Sequence, residues 1–136
     1  MKKFKVGLLT MSDGRPYLHN LQYDMNMNYQ NNIKNALEAT GQVEVIAGTA
    51  PINSNAAAKE EALRLKEAGV ELTIFNYAIW CYPQYTAVAA NFAPGPYILF
   101  CNIPFPGTRS MAYTTSCWYS QQILLRLQLL WIAQTS

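Results

Sequence analysis

Short apolar runs alternate with longer segments of helical character along most of the chain, and this alternation constrains the fold more than any other feature. The apolar runs cover residues 5–10, 43–47, 72–76 and 97–101. Each run has the length and the continuous apolar character of a strand that is buried in a parallel sheet. Strands that alternate with helices favour right-handed crossovers, and therefore a sheet with helices packed on both faces.

The segments between these runs carry the start and stop signals of helices. Tyr29, Ile33 and Leu37 recur at i, i+4 and i+8 spacing, and Glu60 and Arg64 are spaced to pair on the exposed side of a later helix. We predict helices over residues 24–40, from a cap at Asn53 or Ser54 to Gly69, and from Pro83 to a stop at residues 94–96. The expected architecture is α/β, with a doubly wound, flavodoxin- or Rossmann-like parallel sheet in a three-layer sandwich.

The length and the charge of the chain limit the classes of protein to which it can belong. A chain of 136 residues fits one domain with a core of its own. The formal net charge of +2 is too small to indicate nucleic acid, and Lys2, Lys3 and Lys5 are interpreted as a solvated chain end. We therefore expect no nucleic-acid partner.

Cysteine usage and the apolar stretches indicate the compartment. The 3 cysteines, Cys81, Cys101 and Cys117, lack CxxC spacing, so reduced thiols are expected and a disulfide framework or zinc site is not. The apolar part of the N-terminus is too short for a signal peptide, and the run 123–133 is too short to span a membrane. We expect a cytoplasmic protein without a membrane partner.

Functional residues of an open parallel sheet gather at the carboxyl ends of its strands. Those ends are followed here by residues 11–21, 49–54, 77–82 and 102–107. An arginine can bind paired oxygens and an indole can stack on the apolar face of a sugar ring, so this edge suits a polyol or a carboxylate. Polar and aromatic side chains are concentrated in the first and third of these segments, at Asp13, Arg15, Tyr17, His19, Tyr77, Trp80, Cys81 and Tyr82.

Each candidate also has a purely structural interpretation. Arg15 can simply pair with Asp13 in an Asp-Gly-Arg turn, and Trp80 can belong to the core. His19 has no second histidine with which to bind a metal, and Cys81 has no base beside it in the sequence. The glycine motifs of Rossmann and P-loop phosphate sites are absent. The hydroxyls of residues 10–14 leave a flavodoxin-like phosphate loop open, although the carboxylate within them would repel a phosphate.

Two short motifs at the predicted strand ends resemble segments of the L-fucose/L-arabinose isomerase family. LTMSDGR at residues 9–15 is similar to the Asp-Gly-Arg segment of these enzymes, and WCY at residues 80–82 is similar to their Trp-Cys-Tyr segment. NFAPGP at residues 91–96 and NIP at residues 102–104 extend the similarity, which covers about residues 4–107. Pro16 and Pro83 depart from the family pattern, so the resemblance leaves the preferred sugar open.

The resemblance implies a role in converting an aldose to a ketose through an enediol. In that family a divalent metal, usually Mn²⁺, is held by carboxylates and a histidine of later domains. The N-terminal domain completes the sugar pocket of a neighbouring subunit in a homo-oligomer. Carried over, Arg15 and Trp80 would contact the sugar, and Tyr82 and His19 would line the pocket wall. No catalytic residue, metal ligand or cofactor is expected within this chain itself.

The end of the chain departs from the family pattern. All 8 acidic residues lie at or before Glu71, and residues 108–136 contain neither an acid nor a glycine. We expect an isomerase N-terminal domain over residues 1–107 and an atypical extension over residues 108–136, either out of frame or a genuine closing helix near 120–134. The chain would then be an N-terminal domain or truncated isomerase that is inactive alone. The alternative is a stand-alone α/β module that binds a sugar or a small anion without catalysis.

Overall fold

The computed structural model describes residues 2–101, which form a parallel sheet flanked by helices. The strands lie in the order β2-β1-β3-β4, and every neighbouring pair is parallel, so the predicted doubly wound α/β architecture is confirmed. In chain order the elements are β1 (Phe4–Met11), α1 (Pro16–Glu38), β2 (Val43–Ala47), α2 (Asn55–Glu67), β3 (Leu72–Tyr77), α3 (Pro83–Ala90) and β4 (Tyr97–Cys101).

The side chains of β1 divide into two sets, because successive residues of a strand point to opposite faces of the sheet. Val6 and Leu8 pack in a cluster with Ile33 of α1. Leu9, which points the other way, belongs to a second cluster with Leu65 of α2 and with residues of α3. Helices therefore cover both faces of the sheet, in three layers.

Helix α1 begins earlier than the sequence predicts, at Pro16 and not at residue 24. Proline is favourable at the first position of a helix, because its fixed φ suits the helix and its missing N–H would have no partner there. The fully buried residues of α1 are the amides Asn26 and Gln30, and the apolar repeat of Tyr29, Ile33 and Leu37 marks only the later part of the helix. Tyr17 and His19, expected in a loop, therefore lie in the first turns of a helix.

Helix α2 begins at a side-chain cap, as predicted, because the Ser54 hydroxyl accepts a hydrogen bond of 3.1 Å from a backbone N–H of the first turn. The predicted exposed pair between Glu60 and Arg64 is wrong. Arg64 pairs with the buried Glu61 at 2.8 Å instead, since its guanidinium also donates to the carbonyl oxygen of Ala47 at the end of β2.

Strand β4 is less covered than its neighbours on one face. Ile98 and Phe100 are 45% and 42% exposed, and they lie on the face that α1 covers over β1 and β2, since Ile98 pairs with Ile74. Within residues 2–101, none of the helices combines the length and apolar character needed to cross a membrane. The expected boundary at residue 107, the segment 102–107 and the helix near 120–134 lie outside the described residues.

Candidate functional site

The loops after β1 and β3 meet where the winding of the sheet reverses. β1 and β3 are neighbours, but the chain continues from β1 to β2 on one side and from β3 to β4 on the other. The two connections diverge, and the crevice between them is where doubly wound domains bind ligands. Residues 12–15 and 78–82 form the loops on this side of the sheet, and Arg15, Trp80 and Tyr82 are their side chains that are not buried.

Arg15 is held by a buried carboxylate within the first of these loops. Its Nε donates to Asp13 Oδ1 at 3.0 Å and its Nη2 donates to Asp13 Oδ2 at 2.8 Å, while the backbone N–H of Arg15 also donates to Oδ1. The Asp13 side chain is 3% exposed and that of Arg15 is 59% exposed. The hydrogen bonds from Arg15 hold the pKa of Asp13 below its ordinary value, against the effect of burial. Asp13 thus fixes the direction of the guanidinium through Nε and Nη2.

An aromatic cluster from the second loop completes this side of the crevice. The guanidinium carbon of Arg15 lies 5.6 Å from the centre of the Trp80 ring, within the range of a cation–π contact. Trp80 meets Tyr82 edge-on at 4.8 Å between ring centres, and Tyr82 meets Tyr85 of α3 in the same way at 5.7 Å. The absence of a side chain at Gly14 allows this cluster to form, because a Cβ there would overlap the Tyr85 hydroxyl.

His19 lies on the other side of the end of β1. Its Nδ1 is 2.9 Å from the hydroxyl of the buried Ser12, and its ring meets Tyr23 edge-on at 5.7 Å. Ser12 also receives a hydrogen bond of 3.4 Å from the amide of Asn26, which is fully buried in α1. The structure thus places Arg15, Trp80 and Tyr82 together, whereas His19, one helical turn after Arg15, contacts Ser12 and Tyr23.

Three further residues of the predicted edge do not belong to this crevice. Tyr77 is buried in β3, and its hydroxyl bonds the Thr86 hydroxyl at 2.6 Å. Cys81 is a buried free thiol, and burial raises its pKa well above the ordinary value, so it remains protonated. Tyr17 is 75% exposed on α1 and makes no ring contact among the residues the structure describes.

Sequence reasoning missed three residues that shape the site, namely Ser12, Asn26 and Tyr85. Ser12 directly precedes the Asp-Gly-Arg segment. Because successive residues of an extended chain point to opposite faces, a polar residue next to Asp13 indicates a second buried polar group on the other face. Asn26 gave no signal, because a buried amide in a helix looks like an exposed one in the sequence. Tyr85 packs in the core on α3, and its hydroxyl also reaches Gly14.

The described residues do not fit a metal site. Across residues 2–101, no group of three or more histidine, cysteine or acidic side chains lies close enough to hold a metal ion. Asp13, the carboxylate nearest to the crevice, is engaged by Arg15 through both of its oxygens. The part of the chain described by the structure therefore offers groups that bind and orient a ligand and does not offer a metal's donor set.

These features define a class of protein, a doubly wound α/β domain with a polar and aromatic edge at its switch point. A family model for L-fucose isomerase, first N-terminal domain, matches residues 3–123. The chain therefore belongs to the family of L-fucose isomerase N-terminal domains. No curated protein and no solved structure gave a significant match. The matched residues continue beyond residue 107, where we expected the domain to end, and the position of that boundary stays a prediction.

Proposed function

We propose that this domain forms one wall of a sugar pocket of an aldose–ketose isomerase. The observation that carries the proposal is the contact of Arg15 with Trp80 at the switch point, where the guanidinium lies 5.6 Å from the indole centre. The guanidinium offers hydrogen-bond donors to hydroxyl or carbonyl oxygens, and the indole offers an apolar face to the C–H groups of a sugar. Together these groups match the two kinds of surface that a monosaccharide presents.

The anchoring of Arg15 supports the same function. An exposed arginine loses side-chain entropy when it binds a ligand, and this loss is smaller when another residue already holds it. Asp13 engages Nε and Nη2 of Arg15, so the guanidinium plane is set before a ligand arrives. Tyr82 contacts the indole edge-on and limits its rotation, so the two groups most suited to a sugar are both oriented.

The chemistry of isomerisation is assigned to other parts of the enzyme. The family uses a divalent metal, expected to be Mn²⁺, and residues 2–101 present no donor set for it. We therefore propose that the wall binds the sugar end remote from the metal and has no catalytic residue. The pocket would be completed by a neighbouring subunit of a homo-oligomer in the cytoplasm, a location that the free thiol of Cys81 favours.

Binding of free sugars to the chain tests the proposal. L-fucose and L-fuculose are titrated against the protein, and the indole N–H signal of Trp80, assigned with Trp80→Phe, is followed by NMR. We expect a saturable shift with a Kd of about 1 mM or weaker, because half a pocket makes few contacts. Arg15→Lys retains the charge but loses the two-point hydrogen bonding, and we expect it to weaken binding severalfold.

A lack of response at Trp80 up to the solubility limit of both sugars would contradict the proposal. Saturation at micromolar sugar would also contradict it and would favour a stand-alone binding module. In a parallel assay with Mn²⁺, we expect no ketose from L-fucose, and measurable ketose would show that the chain supplies catalysis of its own.

A further inference from the structure

Two consecutive buried residues at the end of β1 each hold one polar side chain of the segment that follows. Asp13 binds the guanidinium of Arg15 on the side of α3, and Ser12 binds the imidazole of His19 on the side of α1. Both holding residues are at most 2% exposed. Since neighbouring residues of an extended chain point to opposite sides, the two held groups straddle the end of the strand.

The hydrogen bonds around Ser12 have a direction. Asn26 Nδ2 donates to Ser12 Oγ at 3.4 Å, and His19 Nδ1, at 2.9 Å, is the acceptor that the described residues offer to the buried hydroxyl hydrogen of Ser12. The reversed amide would leave both N–H groups of Asn26 Nδ2 without a partner among the described residues, whereas the observed one leaves Oδ1 and one N–H. Buried N–H groups without a partner are rarer in proteins than buried carbonyl oxygens without one, so the observed orientation of the amide is favoured.

This direction determines which nitrogen of His19 carries the proton. A nitrogen that accepts a hydrogen bond from a hydroxyl is unprotonated, so the neutral imidazole carries its hydrogen on Nε2. Nδ1 is occupied by the buried Ser12, and His19 itself is half-buried, so Nε2 is the nitrogen left for a ligand. Tyr23, edge-on to the ring, restricts its orientation further.

We propose that Ser12 and Asn26 are positioning residues that hold His19 in its Nε2–H tautomer, as a donor for a hydroxyl oxygen of a polyol ligand. His19 is then a specificity-determining residue, a second donor on the opposite side of β1 from Arg15. The positioning of His19 is argued from the hydrogen bonds of Ser12 alone. The contact of His19 with a ligand rests also on the proposed function of the domain as the wall of a sugar pocket. A polyol with two acceptor oxygens spaced to reach both donors is the ligand class that fits.

The tautomer of His19 tests the positioning directly. His19 is the only histidine of the chain, so its ring nitrogens give unambiguous signals in a long-range ¹H–¹⁵N correlation spectrum. For the neutral ring we expect one tautomer, protonated at Nε2. Ser12→Ala should shift the ratio towards that of free histidine in the same buffer, and Ser12→Thr, which keeps the hydroxyl, should restore the wild-type pattern. Nδ1 protonation in the wild type, or an unchanged ratio in a folded Ser12→Ala, would overturn the proposal.

A sugar titration tests the ligand contact and separates it from the proposed function. We expect the Nε2 signal to shift with the same Kd as the indole of Trp80, and His19→Ala to raise that Kd about 2- to 10-fold, the range for one neutral hydrogen bond. If Trp80 responds while Nε2 and the His19→Ala affinity do not change, the sugar wall stands and the role of His19 is refuted. If neither group responds, the proposed function fails together with the ligand contact, and the tautomer alone decides the positioning.

Discussion

The carboxylate of Asp13 has two roles, since it is part of the buried structure and it also orients the guanidinium of Arg15. It is buried, yet it remains charged because Arg15 supplies hydrogen bonds to both of its oxygens. The cost of burying a carboxylate is offset only where such donors are present. The same bonds orient a guanidinium that is itself largely exposed. Removal of Asp13 would therefore affect both stability and the shape of the crevice.

The pKa of Asp13 predicts how stability depends on pH. Its pKa in the folded chain lies below the ordinary value of 3.8, chiefly because of the hydrogen bonds from Arg15. Its contribution is therefore complete above that value and is lost as the pH falls through the lowered pKa of the folded state. Urea denaturation of the wild type and of Asp13→Asn checks this, and the difference between their midpoints should be constant near neutrality and shrink at more acidic pH. A difference that grows on acidification would contradict the assignment.

The sequence predicts the positions of single side chains unevenly. Arg15 and Trp80 were selected because their types are informative and the carboxyl ends of parallel strands are known binding positions. Tyr77 was selected by the same rule and is buried, because β3 continues to that residue. The direction of a side chain at the last position of a strand depends on where pairing stops, which apolar runs do not specify to one residue.

At the scale of elements, the strands and α2 follow closely from the sequence, whereas the start of α1 does not. The strand β2 and the strand β4 agree with their predicted runs at both ends. The middle of α1 buries the amides of Asn26 and Gln30 against the sheet, with hydrogen bonds such as that from Gln30 Nε2 to the carbonyl oxygen of Gly48 at 2.8 Å, while residues 16–23 are exposed or half-buried. Patterns of apolar residues carry no information about such contacts.

The cap of α2 gives a prediction at this scale, since the sequence left Asn53 and Ser54 as equal candidates. The structure assigns the cap to Ser54, which accepts a hydrogen bond from the N–H of Ala57. Ser54→Ala should therefore lower the free energy of unfolding by about 0.5–2 kcal/mol. Asn53→Ala, the matched control, should change it by less than about 0.5 kcal/mol. Chemical denaturation of both variants measures these free energies of unfolding, and a larger loss for Asn53→Ala would show that Asn53 is the cap.

At the scale of the whole molecule, the sheet is a partition between two clusters of apolar side chains. Phe75 is fully buried in the cluster that α2 and α3 cover. Leu8 is fully buried in the cluster beneath α1. Each cluster includes residues of β1, so loss of packing on either side is transmitted to the same central strand.

Two phenylalanines on neighbouring strands test this description of the core. Phe75→Ala should destabilise the chain by about 3–5 kcal/mol, because it removes a fully buried aromatic side chain. Phe100→Ala on β4 should cost much less, since Phe100 is 42% exposed on the opposite face. Thermal and urea unfolding of the two variants provide the comparison. Equal losses would show that the α1 side of β4 is covered more fully than the structure indicates.

Ser12 faces one side of the sheet and Asp13 faces the other. The junction after β1 is therefore sensitive to the number of residues it contains. A single inserted residue before Ser12 would reverse the alternation and turn the hydroxyl towards α3 and the carboxylate towards α1. Ser12 would then face away from His19 and Asp13 away from Arg15, although no residue type had been lost. Loop grafts and chimaeras between relatives must therefore conserve the number of residues between β1 and α1, and a search for functional relatives can use this fixed length as a criterion alongside the residues themselves.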